Sequence, residues 1–385
     1  MIDYGKARLA VIGMGWIGEY MVPCYERLLG NGHASRILAV KATDRRLEEL
    51  RKQYGFEAMA GDCLERLKAL RPSFLVLSVR PYEMEGVVEG TVKPYIGYLR
   101  DQGAAMPLIF SFAPSPPPKW YTQTLGDDVR TVCVLPAMET SIGGVDVYSL
   151  ACSQVTYDQG IPLCEGHREA VSRFLGPLGS VLWCTPDESM ALLSMNITYH
   201  MLYPLCFALE RHYGAGGCAR AAGILYALNC ERLRRTGLVM PEPDPDEADK
   251  RQLAWLEKGW YEGALDFASG HGRMPDNGLS PNARVLAPRA FELHLLSLRL
   301  ETRQFLEEKL RDHATPGGMT EKAVKEFTRL WKEMQGSAHG CQVPLEGSES
   351  MAYDISYRLA EQVYPKGISL ERGGMTRMPI TDGPG

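Results

Sequence analysis

The sequence predicts an α/β N-terminal domain built on a doubly wound, mostly parallel sheet, followed by an all-α domain. Three observations lead there. Over the first 150 residues, short apolar runs alternate with segments of helical spacing. The first apolar run leads directly into a loop with Gly13, Gly15 and Gly18. From about Pro186 onward, apolar residues recur every three or four positions, the period of helices.

Taken in order, Arg8–Ile12, Ile37–Val40, Phe74–Val79, Leu108–Phe112 and Thr131–Leu135 read as strands. Each is a short apolar run of strand length. Ile17–Leu29 and Leu47–Tyr54 read as the helices between the first three. Residues 1–185 are therefore assigned to the sheet domain and 186–336 to the helical domain. Within the latter, 238–311 reads as an insertion. MPEPDPDEADK (240–250) and GHGRMPDNGLSPNARVLAP (270–288) are loop-like in composition. Residues 337–385, rich in Gly, Ser and Pro, are expected to form an irregular extension laid over a neighbour.

Composition narrows the function classes. A net charge of −5 with no long basic run gives no electrostatic basis for nucleic-acid binding. The ten cysteines include no C-x-x-C pair and no Cys/His cluster at zinc spacing, so no metal is expected, and His313, His339 and Cys341 supply no third ligand. Free thiols point to a reduced, cytoplasmic protein. The opening MIDYGKARLAVIG has no cationic region before a long apolar run, unlike a signal peptide. Residues 190–209 are the most apolar stretch, but they carry Asn196, His200 and Pro204 and read as a buried helix, not a membrane span.

AVIGMGWIGEY (10–20) has the context of a dinucleotide loop of the Rossmann type, because it follows a strand and opens a helix. Gly13 makes the turn, Gly15 lets the backbone approach a pyrophosphate and Gly18 lets helix and strand pack closely. Met14, Trp16 and Ile17 complete the loop, whose amides meet the phosphate charge. The second strand is followed by Lys41, Asp44, Arg45 and Arg46. The cations suit the 2′-phosphate of NADP, whereas Asp44 suits the ribose of NAD, so NADP (NADPH) is favoured and NAD less so. Arg45 and Arg46 read equally well as a solvated first helical turn.

Three further stretches resemble the pyrroline-5-carboxylate reductases. FLVLSVRPYEMEGVV (74–88) is similar to that family's "AVKP" strand and turn, with Ser78, Val79, Arg80 and Pro81 in the matching positions. The resemblance implies that this turn lines the nicotinamide side of the site. RTVCVLPAMETSIGGV (130–145) resembles the segment "R-x-M-P-N-T-P", keeping Pro136 but with Ala137 for Asn and Glu139 for Pro. HATPGGMTEKAVKEF (313–327) resembles the signature "SPGGTT-x-x-A", with Thr315, Pro316, Gly317, Gly318 and Thr320 aligned without a gap. Residues 190–237 have the pattern of the family's long helix and those after it, where Ser194 alone fits the motif "S-G-S-G-P-A-Y".

The resemblance implies reduction of a carboxylate-bearing, cyclic imine by NADPH. It places the substrate carboxylate on the amides of Gly317, Gly318 and Met319, a use of a glycine turn that the helix dipole favours. It places Thr320 near the imine nitrogen, as a proton relay or a helix cap. It also implies a homodimer with interlocked helical domains. The departures point to an altered substrate pocket. Glu139 reads as a partner for a cationic or hydroxylated group, or as an exposed loop carboxylate. Tyr199 and His200 are candidate general acids, or satisfied core residues. Asn196 needs a polar partner inside an apolar helix. Two alternatives stay open. One is a hydroxy-acid dehydrogenase of related two-domain build, against which residues 190–209 lack a Lys. The other is an inactive dinucleotide-binding sensor or scaffold.

Overall fold

Leu9, Ala10, Val11 and Ile12 form β1, and all four are buried. A strand without a polar face must be covered on both sides, the condition of a parallel sheet between two helix layers. The computed structural model meets it. It describes residues 3–44, 46–213, 217–235, 245, 247–271, 280–314, 318–337 and 349–371. The remaining strands are β2 (Ile37–Lys41), β3 (Glu57–Ala60), β4 (Phe74–Leu77), β5 (Leu108–Ser111), β6 (Arg130–Leu135), β7 (Ser141–Ile142), β8 (Val145–Asp146), β9 (Cys152–Tyr157) and β10 (Ser180–Trp183). One sheet runs in the order β10-β9-β6-β5-β4-β1-β2-β3, and β7 with β8 forms a separate ribbon. Its pairings from β3 across to β6 are parallel, while β9 runs antiparallel to β6.

Flanking the sheet are α1 (Trp16–Tyr20), α2 (Val22–Leu29), α3 (Leu47–Tyr54), α4 (Leu64–Leu70), α5 (Pro81–Val87), α6 (Lys93–Asp101), α7 (Pro118–Leu125) and α8 (Glu165–Leu175). Leu9 and Val11 enter the core on one face, with Tyr25 of α2 and Phe174 of α8. Ala10 and Ile12 enter the other, with Met84 of α5 and Ile96 of α6. The helix expected over 17–29 is divided at Met21 into α1 and α2, with Pro23 in the first turn of α2, where its missing N–H costs nothing. The strand order reverses between β1 and β4, and this reversal positions the nucleotide-type loops.

The chain divides into two units. The first gathers the chain up to Ala137, Ser153–Pro186 and the end of the last helix; the second gathers Met138–Cys152 and Asp187–Ile368. In the second lie α9 (Pro186–His200), α10 (Leu202–Tyr213), α11 (Gly217–Arg235), α12 (Glu247–His271), α13 (Pro281–Leu300), α14 (Arg303–His313), α15 (Met319–Ser337) and α16 (Glu349–Glu371). The apolar stretch 190–209 is two helices, broken at Met201, with Pro204 in the first turn of α10.

Two expectations are corrected here. The first is the loop-like reading within 238–311: Glu247–His271 and Pro281–Leu300 are α12 and α13, which pack on each other and on α11. Trp260 and Phe291 from these helices are buried in the unit's core. The loop reading of 281–288 missed a helix start: the Ser280 hydroxyl accepts from the Ala283 N–H at 3.2 Å, and Pro281 follows at the first helical position.

The second correction concerns the tail. Residues beyond 337 were expected to be irregular, yet Glu349–Glu371 is a helix. It crosses α12 at Gly259 and Gly263, where an added Cβ would strike the backbone around Glu349 and Tyr353. The Ser356 hydroxyl donates to the Trp260 carbonyl at 2.6 Å, and Tyr353 donates to Asp266 at 2.9 Å. Phe267 packs edge-on to Tyr357 and Tyr364. The Gly, Ser and Pro that suggested irregularity lie mostly before and after this helix in the sequence.

A Gly263→Ala change is expected to destabilise by about 1–3 kcal/mol through overpacking of the crossing. Gly270→Ala, on the same helix with nothing within 4 Å of the new methyl, should be neutral or stabilising by about 0.4–1 kcal/mol. Urea denaturation of the two variants separates these outcomes, and equal stabilities would contradict the crossing.

Candidate functional site

In the first unit the site is built where β1 and β4 end side by side. Gly13 turns out of β1 at φ +96°, a conformation that L side chains rarely adopt. Its N–H and that of Met14 both donate to the Val40 carbonyl, at 3.0 and 2.9 Å. A Cβ on Gly13 would lie 2.7 Å from the Ser78 carbonyl carbon and the Val79 nitrogen. The Ser78 hydroxyl closes the junction by donating to the Gly13 carbonyl at 2.9 Å. Gly18 is tight as well, since its Cβ would meet Gly13 O at 3.1 Å and Ser78 Oγ at 3.3 Å. The buried Tyr25 hydroxyl donates to the Gly18 carbonyl at 2.9 Å and fixes the loop from α2.

Gly15 differs from its neighbours. A Cβ there would find only Gly13 O, at 3.9 Å, so its outer side is open space. Trp16, Ile17 and Gly18 form the first turn of α1, where amides lack intrahelical acceptors. Trp16 is two-thirds exposed and stacks on Tyr20. This set fits a pyrophosphate: an open glycine, a first helical turn and no carboxylate within the loop. Met14 does not fit as expected, because its side chain is fully buried and its N–H is already bonded to Val40.

Across the junction, Arg80 precedes α5 with Pro81 at the first helical position. Its N–H donates to the Glu83 carboxylate at 3.2 Å, and its guanidinium donates to the exposed Tyr82 hydroxyl at 2.6 Å. Val79 is half-buried against Gly13. At the end of β2, Lys41 is half-buried and its carbonyl accepts from Gly61. Arg45 lies outside the described residues. Arg46 is exposed at the residue before α3, as a solvated first helical turn would have it, but it is not unpartnered. It pairs with Glu19 of α1 and Glu49 of α3. After β6, Ala137 is fixed by its backbone: its carbonyl accepts from Tyr20 at 3.1 Å and its N–H donates to Ser153 at 3.0 Å.

In the second unit several candidates prove to be structural. Ser194 is fully buried, and its hydroxyl donates back to the Met190 carbonyl at 2.8 Å. Tyr199 is fully buried, donates to the Tyr261 carbonyl at 3.0 Å and packs against Tyr261 and Phe291. Both hydroxyls are thus taken up by backbone carbonyls. His200 is buried and stacks on His294, with ring centroids 5.1 Å apart.

His294, which sequence reasoning missed, is the centre of a polar chain. Its Nε2 meets Asn196 Oδ1 at 3.1 Å and its Nδ1 meets the Tyr203 hydroxyl at 3.0 Å. A neutral ring with the proton on Nε2 satisfies both, Tyr203 donating and Asn196 accepting. Burial holds the Tyr203 phenol well above its ordinary range, with Glu139 adding to the shift. The chain continues from Tyr203 to Ser297, and Lys309 donates to Ser297 at 3.3 Å. Lys309 also pairs with Glu139 and, at 3.4 Å, with Glu301. Glu139, expected to await a cationic group, thus has one from α14. The polar positions at α9's third turn, on α13 and on α14 become neighbours only by helix packing, so no local spacing revealed them. Glu188 was missed for the same reason; its buried carboxylate accepts from Ser280 and from Asn282.

Of the late glycine motif, Thr315, Pro316 and Gly317 lie outside the described residues, as do His339 and Cys341. Gly318 accepts from the Lys322 N–H at 3.2 Å, as the residue before a helix does. Met319 is buried against Gly367 of α16 and thus anchors α15. Thr320 is half-buried in the first turn of α15. No helix among the described residues is long and apolar enough to cross a membrane, and among them no group of three metal-binding side chains occurs.

No protein-family profile and no curated protein matches the chain. Among solved structures it is similar to the pyrroline carboxylate reductase of Plasmodium falciparum with NADP bound, at 12% identity and a TM-score of 0.39, covering 94% of this chain and 99% of that one. The 1-pyrroline-5-carboxylate reductase of Streptococcus pyogenes matches at 14% identity and a TM-score of 0.44, covering 74% and 99%. The prephenate dehydrogenase of Aquifex aeolicus matches at 13% identity and a TM-score of 0.36, covering 95% and 99%.

Burial holds the Glu301 carboxyl above the usual carboxylate range, Glu139 adds to this and Lys309 opposes it. The folded chain therefore keeps this proton to higher pH than the unfolded chain does. Its contribution to stability is complete below the unfolded value and is lost as pH rises through the folded one. Glu301→Gln should flatten that decline in Tm just above the ordinary carboxylate range. An unchanged pH slope would count against the burial.

Proposed function

We propose that the chain is an NADP-dependent oxidoreductase that reduces the C=N bond of a carboxylate-bearing, cyclic imine. One observation carries the reading. Gly13–Gly18 and Ser78–Pro81 flank the point where the strand order reverses between β1 and β4, the crevice in which open α/β sheets bind nucleotides. The open side of Gly15 and the first turn of α1 would hold the pyrophosphate. Lys41 with Arg45 supports the 2′-phosphate, and Val79 with Arg80 the nicotinamide end. A bound nicotinamide supplies the hydride.

The imine substrate is supported by the resemblance of 313–327 to the reductase signature. Gly317, Gly318 and the Met319 amide would take the carboxylate, and Thr320 would stand at the nitrogen. A threonine is a weak acid and needs a proton source behind it. A water or a second side chain would deliver that proton, and His294, held between Asn196 and Tyr203, is the candidate imidazole. Assembly as a homodimer with interlocked helical domains, and a cytoplasmic setting, belong to the same reading.

One observation favours a second reading. Lys309, absent from α9 but joined to Asn196 through Ser297, Tyr203 and His294, restores the Lys and Asn that a hydroxy-acid dehydrogenase uses.

The test is fluorescence titration with NADPH and NADH, followed by turnover with cyclic imino acids and with 2-hydroxy acids. NADPH binding with oxidation driven by imino acids is the expected outcome. Turnover of hydroxy acids alone selects the second reading, and binding of neither nucleotide removes both.

For the proton chain, His294→Gln is expected to lower kcat by about 10²-fold, with NADPH affinity unchanged and the pH–rate profile altered. Thr320→Ala should lower kcat with a smaller effect on KM. Unchanged turnover in both variants would remove the proton chain from the reaction.

A further inference from the structure

Arg46 is the one described cation of the β2 loop apart from Lys41, and its guanidinium is committed to two carboxylates. Glu19 grips it end-on, with Oε1 and Oε2 each 3.1 Å from Nη1 and Nη2. Glu49 takes Nε at 2.8 Å. Three of its five N–H donors are thereby used. The backbone of Arg46 stands at φ 66°, an uncommon conformation for a residue other than glycine. Glu19 directly follows Gly18, so the grip ties the helix of the glycine loop to the start of α3, in the loop beyond β2. The Glu19 side chain is 16% exposed and that of Arg46 44%, so the carboxylate is largely covered while the guanidinium still reaches solvent.

The charges decide what this cluster does. Two carboxylates against one guanidinium leave a formal excess of one negative charge. In a dinucleotide site the region beyond the second strand receives the ribose 2′ position, where an acidic side chain suits a 2′-hydroxyl and a free arginine suits a 2′-phosphate. An arginine clamped in this way offers a phosphate little net attraction, and Glu19 repels it. The same arginine released from Glu19 would present its bidentate edge, the geometry that favours phosphate.

We propose that Glu19 is a specificity-determining residue, which holds Arg46 and so limits the site's preference for a 2′-phosphorylated dinucleotide. The inference rests on the dinucleotide reading above and sets how strongly that site discriminates. Glu19 acts through Arg46 and is a positioning residue; Gln at this position keeps one acceptor for the guanidinium but removes the charge.

The experiment is titration of the full chain with NADPH, NADH and 2′,5′-ADP at low ionic strength. It compares the unaltered protein, Glu19→Gln, and Glu19→Gln combined with Arg46→Ala. Glu19→Gln is expected to tighten NADPH and 2′,5′-ADP by about tenfold, the scale of one charge-assisted contact, while NADH changes less than about twofold. Arg46→Ala in that background should abolish the gain, and added salt should shrink it. An unchanged NADPH-to-NADH ratio in a protein that binds both overturns the inference and leaves the dinucleotide reading standing. Weaker NADPH binding in Glu19→Gln overturns it too, because the clamp would then be presenting Arg46 to the phosphate. Binding of neither nucleotide by the unaltered protein overturns both. Glu49→Gln, in which the end-on Glu19 grip remains, gives a smaller gain of the same sign and serves if Glu19→Gln fails to fold.

Discussion

The closeness of β1 and β4 at their C-terminal ends is the constraint on which the first unit depends. There is no room for a Cβ at Gly13, and its carbonyl accepts both the Ser78 hydroxyl and the Gly15 N–H. From this contact the rest follows. The backbone must turn sharply, α1 must begin within three residues, and Gly18 must lie against the same carbonyl. Tyr25 then fixes the loop from the following helix. The loop's shape is set by strand packing at this junction.

The second unit is organised by a different rule. Its helices are apolar on more than one face, and the polar groups that enter must find each other. Asn196, His294, Tyr203, Ser297, Lys309, Glu139 and Glu301 do so in one connected chain. A chain of this kind is costly when incomplete, because each buried group stripped of its partner loses far more than one hydrogen bond contributes. That explains why Tyr203 stays a phenol and why Lys309 can be nine-tenths buried between two carboxylates.

What could be read from sequence divides along the range of the interactions. The parallel strands, α3 and the glycine loop were legible, because apolar runs and a strand-to-helix glycine pattern are local signals. The edge strands β3 and β10, and β9 next to β10, were not, since each is short or carries polar residues. Glu57 is exposed in β3, and Ser153, Gln154 and Thr156 are buried by neighbours in β9. In the helical unit, Tyr199 and Ser194 looked chemical because they are polar in an apolar run. Backbone carbonyls of Tyr261 and Met190 absorb them instead. His294 and Lys309 carried no local pattern at all. The final helix was hidden by the Gly-, Ser- and Pro-rich sequence on either side of it.

The crossing of α16 over α12 also bears on how the chain reaches its native state. Tyr353 and Asp266, joined by a hydrogen bond, are 87 residues apart in sequence. During synthesis α12 emerges with its glycine face uncovered, and it remains so until the residues of α16 leave the ribosome. The closing of the helical unit is thus a late, long-range event, whereas the sheet can pair its central strands while the rest is still being made. A newly made chain passes through an interval in which the central strands are paired and the helical unit still presents an unfilled groove, the period in which a chaperone would have most to protect.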